Sequence, residues 1–187
     1  MKKGESKIDL GLKYIFIFLV ASAIGRFYEF FLILGEGSLN YVNFFPTCVY
    51  TLIFALPYGF SVILIYFTFR VLDKSCFTDK LWIKIFVGAV LIDFAELITG
   101  LIGMRITGIM PWDYSHHILN YKGLISFPIT IRWIILVAIV GKFGYNKIVN
   151  FMDKPLPKKI KMITISVLIL WGVYLIFYFG LKRFGML

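Results

Sequence analysis

Five ionisable residues lie inside long apolar stretches of the sequence. Arg26 and Glu29 share one stretch, Asp93 and Glu96 share another, and Arg132 lies in a third. A charged side chain near the centre of a bilayer costs ~2.5–3.5 kcal/mol on insertion scales, so such residues usually face the interior of a helix bundle and serve a function. Each of the two pairs has i, i+3 spacing, which puts both side chains on one helical face. The pattern predicts a shared polar pocket.

The balance of charges in this pocket indicates what it would bind. Three carboxylates outnumber two arginines by one, so one carboxyl group would hold a proton or face a cation. The alternative is a set of buried ion pairs that fixes the register of the helices, because removing one partner of such a pair is strongly destabilising.

The elements that must position these residues are apolar runs of about the length that crosses a bilayer. The chain has 187 residues, of which 60% are hydrophobic and only 16% charged, and its mean hydropathy is +0.86. A span needs ~20 apolar residues, and backbone polar groups in lipid must be satisfied internally, which favours helices. We expect five spans: Leu10–Leu34, Thr47–Leu72, Leu81–Met104, Leu124–Gly144 and Met162–Leu181. The expected fold is an all-α, polytopic integral membrane helix bundle that forms a single domain, residues 1–187.

The distribution of Lys and Arg predicts the orientation. Of the 20 such residues, four precede or begin the first span, four surround the connection after the second span, and six surround the connection after the fourth. The opposite side has Arg105, Lys122, Lys182 and Arg183. Because positive residues stay inside, the N-terminus is expected in the cytoplasm. This asymmetry also accounts for the net charge of +10, so no nucleic-acid partner is expected and membrane lipids are.

The connections between the spans are short. The longest runs from Arg105 to Gly123 and leaves no room for a soluble catalytic or nucleotide-binding domain. No phosphate-binding loop motif occurs either. If transport here uses ATP, a separate ATPase chain or another membrane subunit must supply it, and five spans are few enough to suggest a homo-oligomer.

The Arg105–Gly123 connection adds further candidate residues for the site. Trp112, Asp113 and Tyr114 are followed by Asn120, at the same outer mouth as Glu29. Tryptophan and tyrosine are also favoured at any membrane interface, which is the simpler interpretation. The adjacent His116 and His117 with Asp113 are too few ligands for a convincing metal site, so neither a metal nor a cofactor is expected.

Several motifs, in order, resemble the Putative ABC-transporter type IV, CmpB-like membrane proteins. They are Gly25 with Tyr28-Glu29, Pro57-Tyr58-Gly59, Glu96–Gly100, Trp112-Asp113-Tyr114-Ser115, Asn120, Gly123 and Trp133. The resemblance covers roughly residues 16–150. Arg26 and Arg132 depart from the pattern, which would have Trp and an apolar residue there. The resemblance implies a multi-pass protein of the bacterial cell membrane.

Three functions fit these observations. The first is a permease-like transport component whose acidic and basic pocket opens to the outer side. The second is an intramembrane enzyme that acts on a lipid or lipid-linked substrate through carboxylates or His116. The third is a non-catalytic accessory subunit of a membrane complex, with the polar cluster as its packing core.

Overall fold

The computed structural model describes residues 6–35, 56–74, 80–108 and 112–183. The helices and strands in these ranges follow in chain order: α1 (Lys7–Gly35), α2 (Leu56–Leu72), α3 (Leu81–Thr107), β1 (Asn120–Tyr121), β2 (Ile125–Ser126), α4 (Phe127–Ile139), a π-helical turn (Val140–Gly144), α5 (Tyr145–Asp153) and α6 (Lys158–Arg183).

The described chain is almost entirely helical, and its helices have the length and composition of membrane spans. Four stretches qualify: Lys7–Tyr28, Leu81–Ile102, Phe127–Asp153 and Lys158–Phe177. Between 6% and 33% of each apolar window is buried within the protein, so most of these side chains face outward, as lipid-facing side chains do. The prediction of an all-α, multi-pass membrane protein is confirmed.

The second predicted span is only partly described. Its helical part, α2, has 17 residues and is about 25 Å long at 1.5 Å per residue, a little short of a ~30 Å hydrocarbon core. The remaining predicted residues, 47–55, lie outside the described ranges. A count of five spans therefore stays a prediction.

The chain divides into two compact units, residues 1–59 with 151–187, and residues 60–150. In the first unit, α1 packs against α6, and Lys161 Nζ lies 2.7 Å from Asp9 Oδ1. The fully buried Lys13 donates from Nζ to the carbonyl oxygen of Met152 at 3.0 Å. Met152 lies in the last turn of α5, where carbonyl groups lack helical partners and attract a cation.

In the second unit, glycines let the helices approach each other closely. A Cβ atom at Gly88 would lie 3.0 Å from Val137 Cγ1, and one at Gly100 would lie 2.7 Å from Leu124 Cδ2. The first contact pairs the early part of α3 with the later part of α4, and the second pairs the later part of α3 with the residues just before α4, so the two helices are antiparallel. Gly141 plays the same part against the ring of Phe69 on α2, where a Cβ would lie 2.7 Å from Cε2.

The end of α2 is held by polar contacts. Asp73 accepts hydrogen bonds from Lys84 Nζ on α3 and from the Tyr145 hydroxyl on α5. Partial burial alone would raise the pKa of Asp73, but the hydrogen bonds from Lys84 and Tyr145 outweigh this and lower it. These contacts connect three elements of the second unit at one end.

The fourth long helix differs from its predicted bounds at both ends. It was expected over Leu124–Gly144, yet Ile125 and Ser126 pair with Tyr121 and Asn120 in a two-stranded antiparallel ribbon. Helix α4 therefore begins at Phe127, with Pro128 in its first turn, where a missing N–H costs nothing. At the other end the π-helical turn carries the helix into α5.

Candidate functional site

The candidate site is built around Asp93 and Glu96 on α3, hereafter the acid pair. Both side chains are partly buried, near the middle of a 27-residue helix. Their i, i+3 spacing puts them on one face, as the sequence predicts. The structure places this face against α4 and the loop Trp112–Ser126, hereafter the hairpin loop.

Glu96 accepts one hydrogen bond on each carboxylate oxygen. The indole Nε1 of Trp133 on α4 donates to Oε2 at 2.8 Å. The hydroxyl of Tyr114 in the hairpin loop donates to Oε1 at 3.3 Å, which is long for an O–H···O bond. Glu96 thus connects α3 to two other elements through neutral donors.

Asp93 is bonded through one oxygen. The Thr130 hydroxyl on α4 lies 2.7 Å from Asp93 Oδ2, and it is also 3.2 Å from the carbonyl oxygen of Ser126. The other oxygen, Oδ1, is buried and accepts no hydrogen bond from any residue in the described ranges. An unpaired buried carboxylate oxygen is costly and therefore informative about function.

The geometry of α4 explains how it reaches both carboxylates. Thr130 and Trp133 are three residues apart, so they share the face that meets α3. Side chains on a helix tilt toward its N-terminus, which lets the long indole of Trp133 extend back toward the hairpin loop and meet Glu96. Thr130 and Trp133 of α4 thereby form hydrogen bonds with Asp93 and Glu96 of α3.

The hairpin loop is held in shape by two residues predicted as site candidates. Asn120 donates from Nδ2 to the carbonyl oxygens of Ser115 (3.1 Å) and His117 (2.9 Å), while its Oδ1 accepts from the Gly123 N–H at 3.2 Å. Asp113 Oδ1 accepts from the Ser115 N–H at 2.8 Å, and this bond lowers the pKa of Asp113. Both side chains are exposed and shape the turn.

Trp112 anchors the start of the same loop. Its indole Nε1 donates to the carbonyl oxygen of Leu124 at 2.8 Å, and its ring lies over Gly100 of α3, where a Cβ would be 3.2 Å from Cζ2. The loop therefore meets α3 at two levels, through Trp112 at Gly100 and through Tyr114 at Glu96.

His117 and Ser126 join the loop to the start of α4. His117 Nδ1 is 2.9 Å from the hydroxyl of the buried Ser126, and its ring stacks on Tyr114 with 5.5 Å between centroids and 4° between planes. Sequence reasoning missed Ser126 and Thr130. The sequence signal that could have identified Thr130 is its i, i+3 spacing to Trp133, which is the same as the spacing between Asp93 and Glu96.

The remaining predicted site residues are placed as follows. Arg132 is partly buried on α4, next to Trp133 in sequence. Arg26 is partly buried on α1, in the other compact unit, and the side chain of Glu29 lies outside the described residues. A pocket shared by both arginines and all three carboxylates stays a prediction. The structure brings together Asp93, Glu96 and Tyr114.

The described part of the chain contains no group of three or more His, Cys, Asp and Glu side chains arranged to hold a metal ion. The acid pair, held by neutral donors, can take up and release a positive charge.

Comparison with known proteins identifies the family. No curated protein and no solved structure shows significant similarity to the chain. A family model matches residues 16–179, a range that includes the acid pair, the hairpin loop and Trp133. The predicted resemblance is confirmed, and the chain belongs to the Putative ABC-transporter type IV family.

Proposed function

We propose that this membrane transport-related protein is a permease-like component whose acid pair is the ion-binding centre, opening to the outer side of the cell membrane. The observation that carries the proposal is the placement of Asp93 and Glu96 within a membrane-spanning helix, held by the neutral side chains of Trp133, Tyr114 and Thr130. Ionisable groups at membrane depth generally belong to substrate or ion pathways.

The energetics of the acid pair support binding of a positive charge. Two ionised carboxylates one helical turn apart repel each other, and low dielectric strengthens this repulsion. A bound cation or proton relieves it. The pair therefore changes its charge in response to an ion, as a coupling site in a transporter must.

The hairpin loop supports access from the outer side. Its Tyr114 donates a long hydrogen bond to Glu96, so the loop and the acid pair are in direct contact. The lysine and arginine distribution predicts that this loop lies outside. Energy from ATP would come from a separate chain, and association with other membrane or ATPase subunits agrees with the family. A homo-oligomer would complete the translocation path.

The test is charge movement in proteoliposomes on a solid support. A step in pH, or in Na⁺ or K⁺ concentration, should produce a transient current with the wild-type protein. Asp93→Asn and Glu96→Gln should each reduce this current at least tenfold. Asp73→Asn is the matched control, since this carboxylate lies outside the acid pair in the same unit, and it should retain the current. Equal currents from all four proteins, or none from the wild type, would overturn the proposal.

A further inference from the structure

We infer that the ion bound by the acid pair is a proton and that it binds at Asp93. This rests on the proposed function and deepens it, since it assigns the chemical class of the ion.

Three of the four oxygens already accept hydrogen bonds. Both oxygens of Glu96 are taken, by Trp133 Nε1 at 2.8 Å and by the Tyr114 hydroxyl at 3.3 Å. Asp93 Oδ2 accepts from Thr130 at 2.7 Å. Among the described residues, Asp93 Oδ1 alone accepts nothing, and it is buried. The pair thus presents one oxygen that accepts no hydrogen bond from the described residues.

Even if each oxygen used its second lone pair, the two carboxylates would supply four oxygen ligands at most, too few for a metal site. Calcium takes about six to eight oxygen ligands and magnesium about six, in near-octahedral geometry. The indole N–H of Trp133 is a donor only and cannot replace a ligand. The described ranges also offer no third His, Cys, Asp or Glu arranged beside the pair to complete a metal site. A proton, in contrast, needs a single oxygen.

The hydrogen bonds also indicate which carboxyl group takes the proton. Donors stabilise the ionised form of a carboxyl group. Glu96 has two such donors, on separate oxygens, whereas Asp93 has one. Asp93 also has the oxygen that accepts no hydrogen bond, so its protonation removes the charge on the group with fewer donors and ends its repulsion with Glu96. The step adds one proton to one carboxylate, breaks no covalent bond and requires no co-reactant.

The proposal is tested by infrared difference spectroscopy of the protein in lipid, which detects the C=O stretch of a protonated carboxyl group. One such band should be present near neutral pH, should disappear as the pH is raised and should be absent from Asp93→Asn. Asp73→Asn is the control and should retain the band. Because a variant can fail to fold, wild-type protein with ¹³C-labelled aspartate provides a second assignment. Its band should shift in frequency, whereas label in glutamate should leave it unchanged.

The results separate this inference from the proposed function. A band that shifts with labelled glutamate, or that Na⁺ or Mg²⁺ removes at fixed pH, would overturn the assignment of a proton to Asp93. A current that responds to Na⁺ or K⁺ but not to pH would overturn the proton while retaining the transport function. A titrating Asp93 band without any current from the wild type would retain the proton site and overturn the transport function.

Discussion

Trp133 combines two properties that a residue beside a buried carboxylate requires. Its side chain is buried, and its single polar atom donates to Glu96 at 2.8 Å. Tryptophan can do both because the indole has a large apolar surface and one N–H donor. The donor therefore compensates part of the cost of placing Glu96 inside a span.

Trp133→Phe should show how much this hydrogen bond contributes to the free energy of unfolding. The substitution keeps an aromatic ring but removes the donor, and leaving a buried acceptor unpaired costs about 1–3 kcal/mol. The variant should unfold at lower denaturant concentration than the wild type in detergent. Tyr114→Phe is the matched comparison, since it removes the other donor to Glu96, whose bond is longer at 3.3 Å. Its effect should be smaller. A larger loss for Tyr114→Phe would show that the hairpin loop, rather than α4, holds Glu96.

The sequence revealed the residues of this site to different degrees. Asp93 and Glu96 were predictable because a carboxylate in an apolar run is rare and conspicuous. Tyr114 was a candidate through its motif. Thr130 was not a candidate, because threonine is an ordinary residue in an apolar helix. Its hydroxyl often bonds the carbonyl oxygen four residues earlier, as that of Thr130 does with Ser126. Asn120 and Asp113 were expected in the site, and in the structure they fold the loop.

Between elements, contacts of glycine with large side chains set how closely the helices approach. In the first unit, Gly25 of α1 faces Tyr58 at the start of α2, and a Cβ at Gly25 would lie 2.2 Å from Tyr58 Cγ. Such a position accepts no larger residue unless a helix moves. Helix association in lipid lacks a hydrophobic driving force. Small residues at these places favour association because they allow close van der Waals packing.

Gly25→Ala should therefore destabilise the contact between α1 and α2. The new methyl group meets the inner atoms of the Tyr58 side chain, which cannot move aside cheaply, and overpacking of this kind costs about 1–3 kcal/mol. Gly11→Ala is the control on the same helix, because a Cβ there meets nothing within 4 Å. It should be neutral or stabilising by up to ~1 kcal/mol through helix propensity. Thermal unfolding in detergent measures both. Equal stability of the two variants would contradict the close contact.

The predicted spans and the observed helices have similar bounds where hydrophobicity alone sets them. The bounds differ where local backbone geometry sets them. The apolar content gave α1, α3 and α6 close to their expected bounds. The start of α4 was not predictable, because the preceding ribbon places Leu119 and Lys122 at positive φ angles of 48° and 54°. Residues with side chains seldom adopt this conformation, so neither residue type signals a tight turn.

For the molecule as a whole, the charge distribution and the helices together predict a topology. The Lys and Arg residues cluster in the N-terminal segment and in the connections after the second and fourth predicted spans. Alternate connections carry few positive charges, which predicts that α2 crosses the membrane. If α2 did not cross, the Lys-rich segment between α5 and α6 and the N-terminal segment would lie on opposite sides, against the preference of positive residues for the cytoplasm.

Reporter fusions distinguish these two arrangements. A reporter that is active only in the cytoplasm, fused after Lys159, should be active, and the same reporter fused after Leu187 should be silent, because α6 lies between the two positions. A third fusion, after Lys74, should be active if α1 and α2 both cross. A silent fusion at Lys74 with an active one at the N-terminus would show that α2 does not cross. An active fusion after Leu187 with silent fusions after Lys159 and at the N-terminus would reverse the predicted orientation and place the hairpin loop on the cytoplasmic side.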